Sequence, residues 1–266
     1  MIDFKQIFTL ELYLYLSVIA LIFLVLVSIL LRKYRKRYEV FPGSNHLIYD
    51  KIEYGLLLLA GPPGVGKTIF CKQSVFNSLK AGNHVVYLTT EESPGMIVDS
   101  MEKFGWSVSK HLRNDKLRII DAFSYRSNIP SKSKYYIENP ENLTNVSITI
   151  EKAREGVSNL RFVFDSITSL ILRVDPGSGQ KFIQVVTSRL RTAKALGICV
   201  LDTGILDETF LNFLRFVFDG VIEMRFKEDE GRLKREIRIY SLKSGRHDAS
   251  WHEFQITDGG IKIIGG

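Results

Sequence analysis

From about residue 54 onward, short apolar runs alternate with amphipathic stretches, and the switch of period between them predicts alternating strands and helices. Tyr54–Ala60 ("YGLLLLA") is apolar at both odd and even positions, as a strand buried on both faces requires. Lys67–Leu79 has the period of a helix that stops near Ala81-Gly82, and "HVVYLTT" (His84–Thr90) is a second buried strand. Ser93-Pro94 supplies an N-cap and a proline at the first helical position for a helix over Gly95–Phe104. Further strands are expected at Lys116–Phe123, Arg161–Asp165 and Gly197–Thr203, with helices over Ile148–Val157 and Gly179–Leu196. Ser124–Asn145 is polar and reads as a mobile loop. This alternation predicts an α/β fold: a mostly parallel sheet with helices on both faces. The ending differs. Gly220–Glu228 and Arg235–Lys243 alternate with period two around "DEGRLK", and His252–Ile264 contains a Thr-Asp-Gly-Gly turn, so antiparallel C-terminal hairpins are expected.

The first forty residues follow a different pattern. Leu10–Leu31 is apolar apart from Glu11 and is long enough, at about 1.5 Å per residue, to cross a ~30 Å hydrocarbon core. It lacks the basic start and cleavage site of a signal peptide. The run "RKYRKR" (Arg32–Arg37) follows it directly, which by the positive-inside rule keeps that end cytoplasmic. The expectation is one N-terminal transmembrane helix in the cell membrane, with the N-terminus outside and the remaining chain cytoplasmic. The domains expected are an anchor with its basic flank over 1–38, a linker over 39–47 and a single domain over 48–266.

Charge adds little beyond this. The net charge is +7, and the five positives of that one run account for most of it, leaving +2 for everything else. A general polyanion-binding surface is therefore not indicated. Cys71 and Cys199 have neither metal-ligand spacing nor an obvious partner and read as free thiols.

The chemistry is concentrated after the first strand. Gly61-Pro62-Pro63-Gly64-Val65-Gly66-Lys67-Thr68, followed by Ile69, matches the P-loop pattern in full between a strand and a helix. Glycines allow backbone N–H groups to converge on phosphate oxygens, Lys67 brings a positive charge to the β- and γ-phosphates, and the Thr68 hydroxyl can ligate Mg²⁺. Asp165 ends the apolar strand "RFVFD", where open α/β sheets place ligands, and is the candidate second metal residue. Glu91 and Glu92 end the next strand. They are either the base that orients an attacking water or part of a solvated loop.

Together, "GPPGVGKT", "YLTTEESPGMIVDSMEKFGW" (Tyr87–Trp106) and "FVFDSITSL" (Phe162–Leu170) resemble a KaiC-like ATPase of the RecA superfamily. The tail, with "DGVI" and "H…F.IT", is similar to that family's closing strands, and the resemblance spans roughly Ile48 to Ile263. It implies a RecA-like core, ATP with Mg²⁺, and a homo-oligomeric ring or filament with ATP between subunits. It makes Glu91 and Glu92 the catalytic glutamates, with Glu91 as base, alongside Lys67. Lys243 and Arg246 of "LKSGRH" stand for the Lys-x-Arg element that reaches a neighbour's site. Their spacing is shortened, and an exposed hairpin end is the other reading. Thr203 falls at a polar-sensor position. The chain has one copy of the unit where the family's clock members have two, so the clock role does not carry over.

Three functions follow as expectations. The first is a membrane-anchored ATPase that passes its nucleotide state to a protein partner. The second is an ATP-binding scaffold with negligible turnover. The third is a RadA-type recombination ATPase that binds DNA through Tyr125–Tyr136 or Arg173–Lys181.

Overall fold

The computed structural model describes residues 16–26 and 39–264. The chain divides into two compact units, Met1–Tyr38 and Glu39–Gly266. In the first, α1 runs over residues 16–26. No helix among the described residues is long and apolar enough to cross a membrane. The transmembrane helix expected over Leu10–Leu31 is therefore not found, and the single-pass membrane location built on it is corrected. The remainder of that span and the run Arg32–Arg37 lie outside the described residues.

The second unit is built on one ten-stranded sheet. In chain order its elements are α2 (Ser44–Leu47), β1 (Gly55–Gly61), α3 (Lys67–Lys80), β2 (His84–Thr89), α4 (Pro94–Lys103), α5 (Ser109–Arg113), β3 (Leu117–Asp121) and β4 (Tyr135–Tyr136). These are followed by α6 (Leu143–Arg154), β5 (Leu160–Asp165), α7 (Ile167–Ile171), α8 (Pro176–Thr192), β6 (Leu196–Asp202) and α9 (Glu208–Val217). Four strands close the chain: β7 (Gly220–Asp229), β8 (Arg232–Leu242), β9 (His252–Thr257) and β10 (Gly260–Ile263). The strand order is β10-β9-β8-β7-β1-β6-β5-β2-β3-β4. From β7 to β4 every pairing is parallel, while β8, β9 and β10 extend the sheet antiparallel as two hairpins.

The reason for the "YGLLLL" pattern is visible in the packing. Every residue of β1 is buried. Leu57 and Leu59 join one core cluster with Phe70, Val75, Tyr87 and Ile97, and Leu56, Leu58 and Ala60 join the other with Phe162, Phe182, Leu190 and Phe210. The sheet thus has a hydrophobic layer on each face, and α3 and α4 cover one while α6 to α9 cover the other.

Several elements differ from the sequence pattern for identifiable reasons. α6 begins at Leu143 because Asn142 accepts hydrogen bonds from the Thr144 and Asn145 amides, and α8 begins at Pro176 because Asp175 caps it. α9 was not anticipated. Asp207 caps it, and Phe210, Leu214 and Val217 form its buried stripe. Part of Ser124–Asn145, expected to be mobile, is pinned at Asp121. That buried carboxylate accepts from the Phe123 and Ser124 amides and from the Ser124 and Ser131 hydroxyls. Residues 39–47, expected to be a linker, pack into the domain. Phe41 and Leu47 have no exposed surface, and the Phe41 ring lies 5.4 Å from Phe70. Cys71 and Cys199 are free and buried.

Removing a buried phenyl ring costs roughly 3–5 kcal/mol. Phe41→Ala is expected to lower the unfolding free energy by that amount in a denaturant titration. A loss below about 1 kcal/mol would mean that residues 39–47 lie on the domain without supporting it.

Candidate active site

The site forms where adjacent parallel strands end together. In register, Gly61 of β1 pairs with Asp202 of β6, and Thr89 of β2 pairs with Asp165 of β5. The phosphate loop leaves β1 at Gly61, where an added Cβ would meet the Met224 carbonyl oxygen at 2.8 Å, so only glycine fits. Gly64 and Gly66 have φ of +78° and +118°, which a glycine adopts without strain. Val65 is fully buried and Ile69 packs at the core edge, so these two anchor the loop and leave ligand contact to its backbone. Pro63 and Gly64 are exposed.

The start of α3 differs from the starts of the other helices of ten or more residues in this unit. α4, α6, α8 and α9 have side-chain caps from Ser93, Asn142, Asp175 and Asp207, whereas the N-cap of α3 is Gly66 and no side chain caps it. Its leading N–H groups lack a side-chain acceptor, the arrangement that accepts an anion. Lys67 is 6% exposed, and its ammonium donates to the Gly61 and Pro62 carbonyls at 2.8 Å each and pairs with Asp202 at 2.9 Å. Asp202 was missed in the sequence pattern, although "CVLDT" displays it next to the Thr203 position. The Thr203 amide donates to the Gly61 carbonyl, tying β6 to the start of the loop.

Asp165 is 3% exposed and accepts from the Tyr87 hydroxyl at 3.0 Å. Burial pushes its carboxyl up to about 6, against the opposing hydrogen bonds from Tyr87 and Thr68. The same burial, with Asp165 nearby, pushes the Tyr87 phenol well above its ordinary value. A buried carboxylate facing the Thr68 hydroxyl fits a magnesium ion that takes its remaining ligands from water and phosphate. No group of three or more His, Cys, Asp or Glu among the described residues could hold a metal by itself.

The two glutamates part company. Glu91 is 43% exposed, accepts from the Ser169 and Thr90 hydroxyls, and lies 3.9 Å from the Arg126 guanidinium. The turn that carries it is tied to the end of β5, since the Thr90 amide donates to the Asp165 carbonyl. Glu92 instead gives both carboxylate oxygens to the Lys72 ammonium, at 2.9 and 2.7 Å. Lys243 and Arg246 are not near the loop of their own chain. Leu242 pairs with Gly220, and Gly220 with Leu57, so both lie toward the opposite end of β1, whose seven residues span roughly 20 Å. Lys243 donates to the Phe216 carbonyl, and Arg246, 80% exposed, pairs with Asp50. Of the basic residues in the two stretches expected to contact DNA, Arg126 donates to the Thr90 carbonyl, Lys134 pairs with Asp115, and Arg173 pairs with Glu141.

Asp165 generates a prediction. Its folded-state value lies above the unfolded one, so its contribution to stability is greatest below about pH 4 and is lost as pH rises through 6. In the absence of metal and nucleotide, Asp165→Asn is expected to raise the unfolding free energy at pH 8 by about 2–3 kcal/mol, falling to about half at pH 5. Thermal melts at the two pH values check this, and an equal effect at both would refute it.

Comparison with known proteins bears on the fold and the family. A UPF0273 protein of Thermotoga maritima is 28% identical over 225 residues, covering 84% of this chain and 93% of that protein. A UPF0273 protein of Pyrococcus horikoshii is 29% identical over 227 residues, covering 84% and 91%. The crystal structure of a KaiC-like protein from Pyrococcus horikoshii superposes with a TM-score of 0.68 at 23% identity, covering 87% of this chain and 99% of that one, which establishes the RecA-like α/β fold. A family model described as "ATPase: KaiC" matches residues 48–266, and the chain belongs to that family of P-loop ATPases.

Proposed function

We propose that the protein binds ATP with Mg²⁺ at residues 61–69 and hydrolyses it, using Glu91 as the base. The observation that carries this reading is the convergence of Lys67, Thr68, Asp165 and Glu91 at the ends of strands in one parallel sheet, beside a helix start that no side chain caps. In this reading a triphosphate exchanges places with the present partners of Lys67, drawing the ammonium from the Gly61 and Pro62 carbonyls and Asp202 onto phosphate oxygens. The N–H groups at the start of α3 supply further neutralisation from a fixed direction. Magnesium, held by Thr68 and by Asp165, would offset charge on the phosphates. Glu91 accepts a proton from the water that attacks the γ-phosphorus, while the bond from that phosphorus to the β,γ-bridging oxygen breaks and ADP leaves, giving inorganic phosphate. Its contacts to Ser169 and Thr90 hold the carboxylate while leaving it partly exposed to solvent.

The same reading makes the working form a homo-oligomer. Lys243 and Arg246 lie at the end of β1 opposite the phosphate loop, so they serve a nucleotide only on a neighbouring copy. The nucleotide state is then passed on to a protein partner. The DNA reading draws less support, because three of the five basic residues in those stretches, Arg126, Lys134 and Arg173, already have partners within the domain.

Two substitutions test the assignment. Lys67→Ala is expected to weaken ATP binding at least 100-fold in a fluorescent-nucleotide titration, and undiminished affinity would remove the phosphate site. Glu91→Gln is expected to retain ATP while phosphate release falls 100-fold or more. Unchanged release would take Glu91 out of the role of base, and a wild-type chain that binds ATP without releasing phosphate would favour the scaffold.

A further inference from the structure

The structure holds a second buried ammonium on the phosphate-loop helix. Lys72 lies five residues beyond Lys67 on α3, about 7.5 Å along the axis, and is 3% exposed. Its partners are the two Glu92 oxygens, at 2.7 and 2.9 Å, and the Ser100 hydroxyl at 2.5 Å. Taking an ammonium out of water costs several kcal/mol unless its partners are well placed, and an apolar side chain could fill the same space without that cost. Glu92 is itself fixed through its backbone. Its amide donates to the Thr89 hydroxyl at 3.2 Å, and its carbonyl accepts from that hydroxyl at 2.7 Å. On the far side, Ser93 caps α4 by accepting from the Met96 amide. The turn carrying Glu91 is therefore held on both flanks.

We propose that Lys72 and Glu92 are positioning residues. Their ion pair joins the helix that begins at the phosphate loop to the turn that carries Glu91, and so sets the orientation of the base relative to the phosphates. Glu92 thereby acts through Glu91 and not on the nucleotide. This rests on the reading of Glu91 as base. It accounts for the paired glutamates: one faces the site, and the other fastens its neighbour to α3. Ser100, on α4, brings a third element to the same ammonium.

The test uses the full chain with ATP–Mg²⁺ and follows steady-state kcat and KM, fluorescent-nucleotide affinity and amide hydrogen exchange. Misplacing a catalytic group by about 1 Å can cost 100-fold in rate. Lys72→Met is expected to lower kcat 10- to 100-fold while KM and nucleotide affinity stay within about twofold. Glu92→Gln, which retains a hydrogen-bonding oxygen, is expected to lose less. Because Lys72→Met leaves the Glu92 charge without its partner and can impair folding, the pair Lys72→Met/Glu92→Leu substitutes an apolar contact of similar volume. That variant is expected to fold stably and still turn over slowly. Wild-type turnover in the stable double variant would overturn the proposal. So would a loss of nucleotide affinity equal to the loss of kcat, or a Glu92→Gln defect as deep as that of Glu91→Gln, which would make Glu92 a reacting group. Hydrogen exchange separates this from failure of the base assignment. Lys72→Met is expected to accelerate exchange of the Glu91–Ser93 amides whether or not the chain hydrolyses ATP, and unchanged protection there would refute the clamp by itself.

Discussion

Complete burial of β1 is the constraint on which the rest of the site depends. With all seven residues enclosed, polar chemistry is placed where the strand stops, and β6 stops in register with it. Gly61 is level with Asp202, and Thr89 with Asp165, so the ends of four strands form a single edge. The hydrophobic effect acting on the two faces of the sheet therefore fixes where the phosphate loop, Asp165 and Glu91 can lie relative to one another.

Within that edge, the buried ammonium groups are paired. α3 carries two nearly inaccessible ammonium groups: Lys67, which faces the loop carbonyls and Asp202, and Lys72, which faces Glu92. Asp165 lies close enough to feel the Lys72 charge, yet burial outweighs the favourable contacts and its carboxyl stays raised. In the proposed reading, a cation arriving with a nucleotide would meet a carboxylate already desolvated by the fold. The loop after β3 adds to this edge because Asp121 fastens it, which carries Arg126 to the Thr90 carbonyl and toward Glu91.

Much of this was legible in the sequence, for a physical reason. A strand buried on both faces must be apolar at every position, so β1, β2, β5 and β6 announced themselves, and a phosphate loop needs its glycines and lysine contiguous. The signals that failed were weaker or longer in range. α9 has a clear apolar stripe but only ten residues, the start of α6 depends on one asparagine, and Asp121 becomes a loop anchor only through Ser131 ten positions away. Phe41 and Leu47 looked like part of a polar connector because the surface they pack against comes from α3 and the C-terminal strands. In the N-terminal segment, hydropathy alone suggested a spanning helix, whereas the described helix there covers residues 16–26.

The sequence by itself determined the α/β class, the phosphate loop at Gly61–Thr68 and the candidacy of Asp165 and Glu91, because each of these is written in adjacent residues. Tertiary structure alone decided that Asp202 holds Lys67, that Lys72 claims Glu92, and that Lys243 and Arg246 lie at the far end of β1 from the loop. Those relations join residues 20 to more than 180 positions apart, and the chain records them only through the register in which its strands pair.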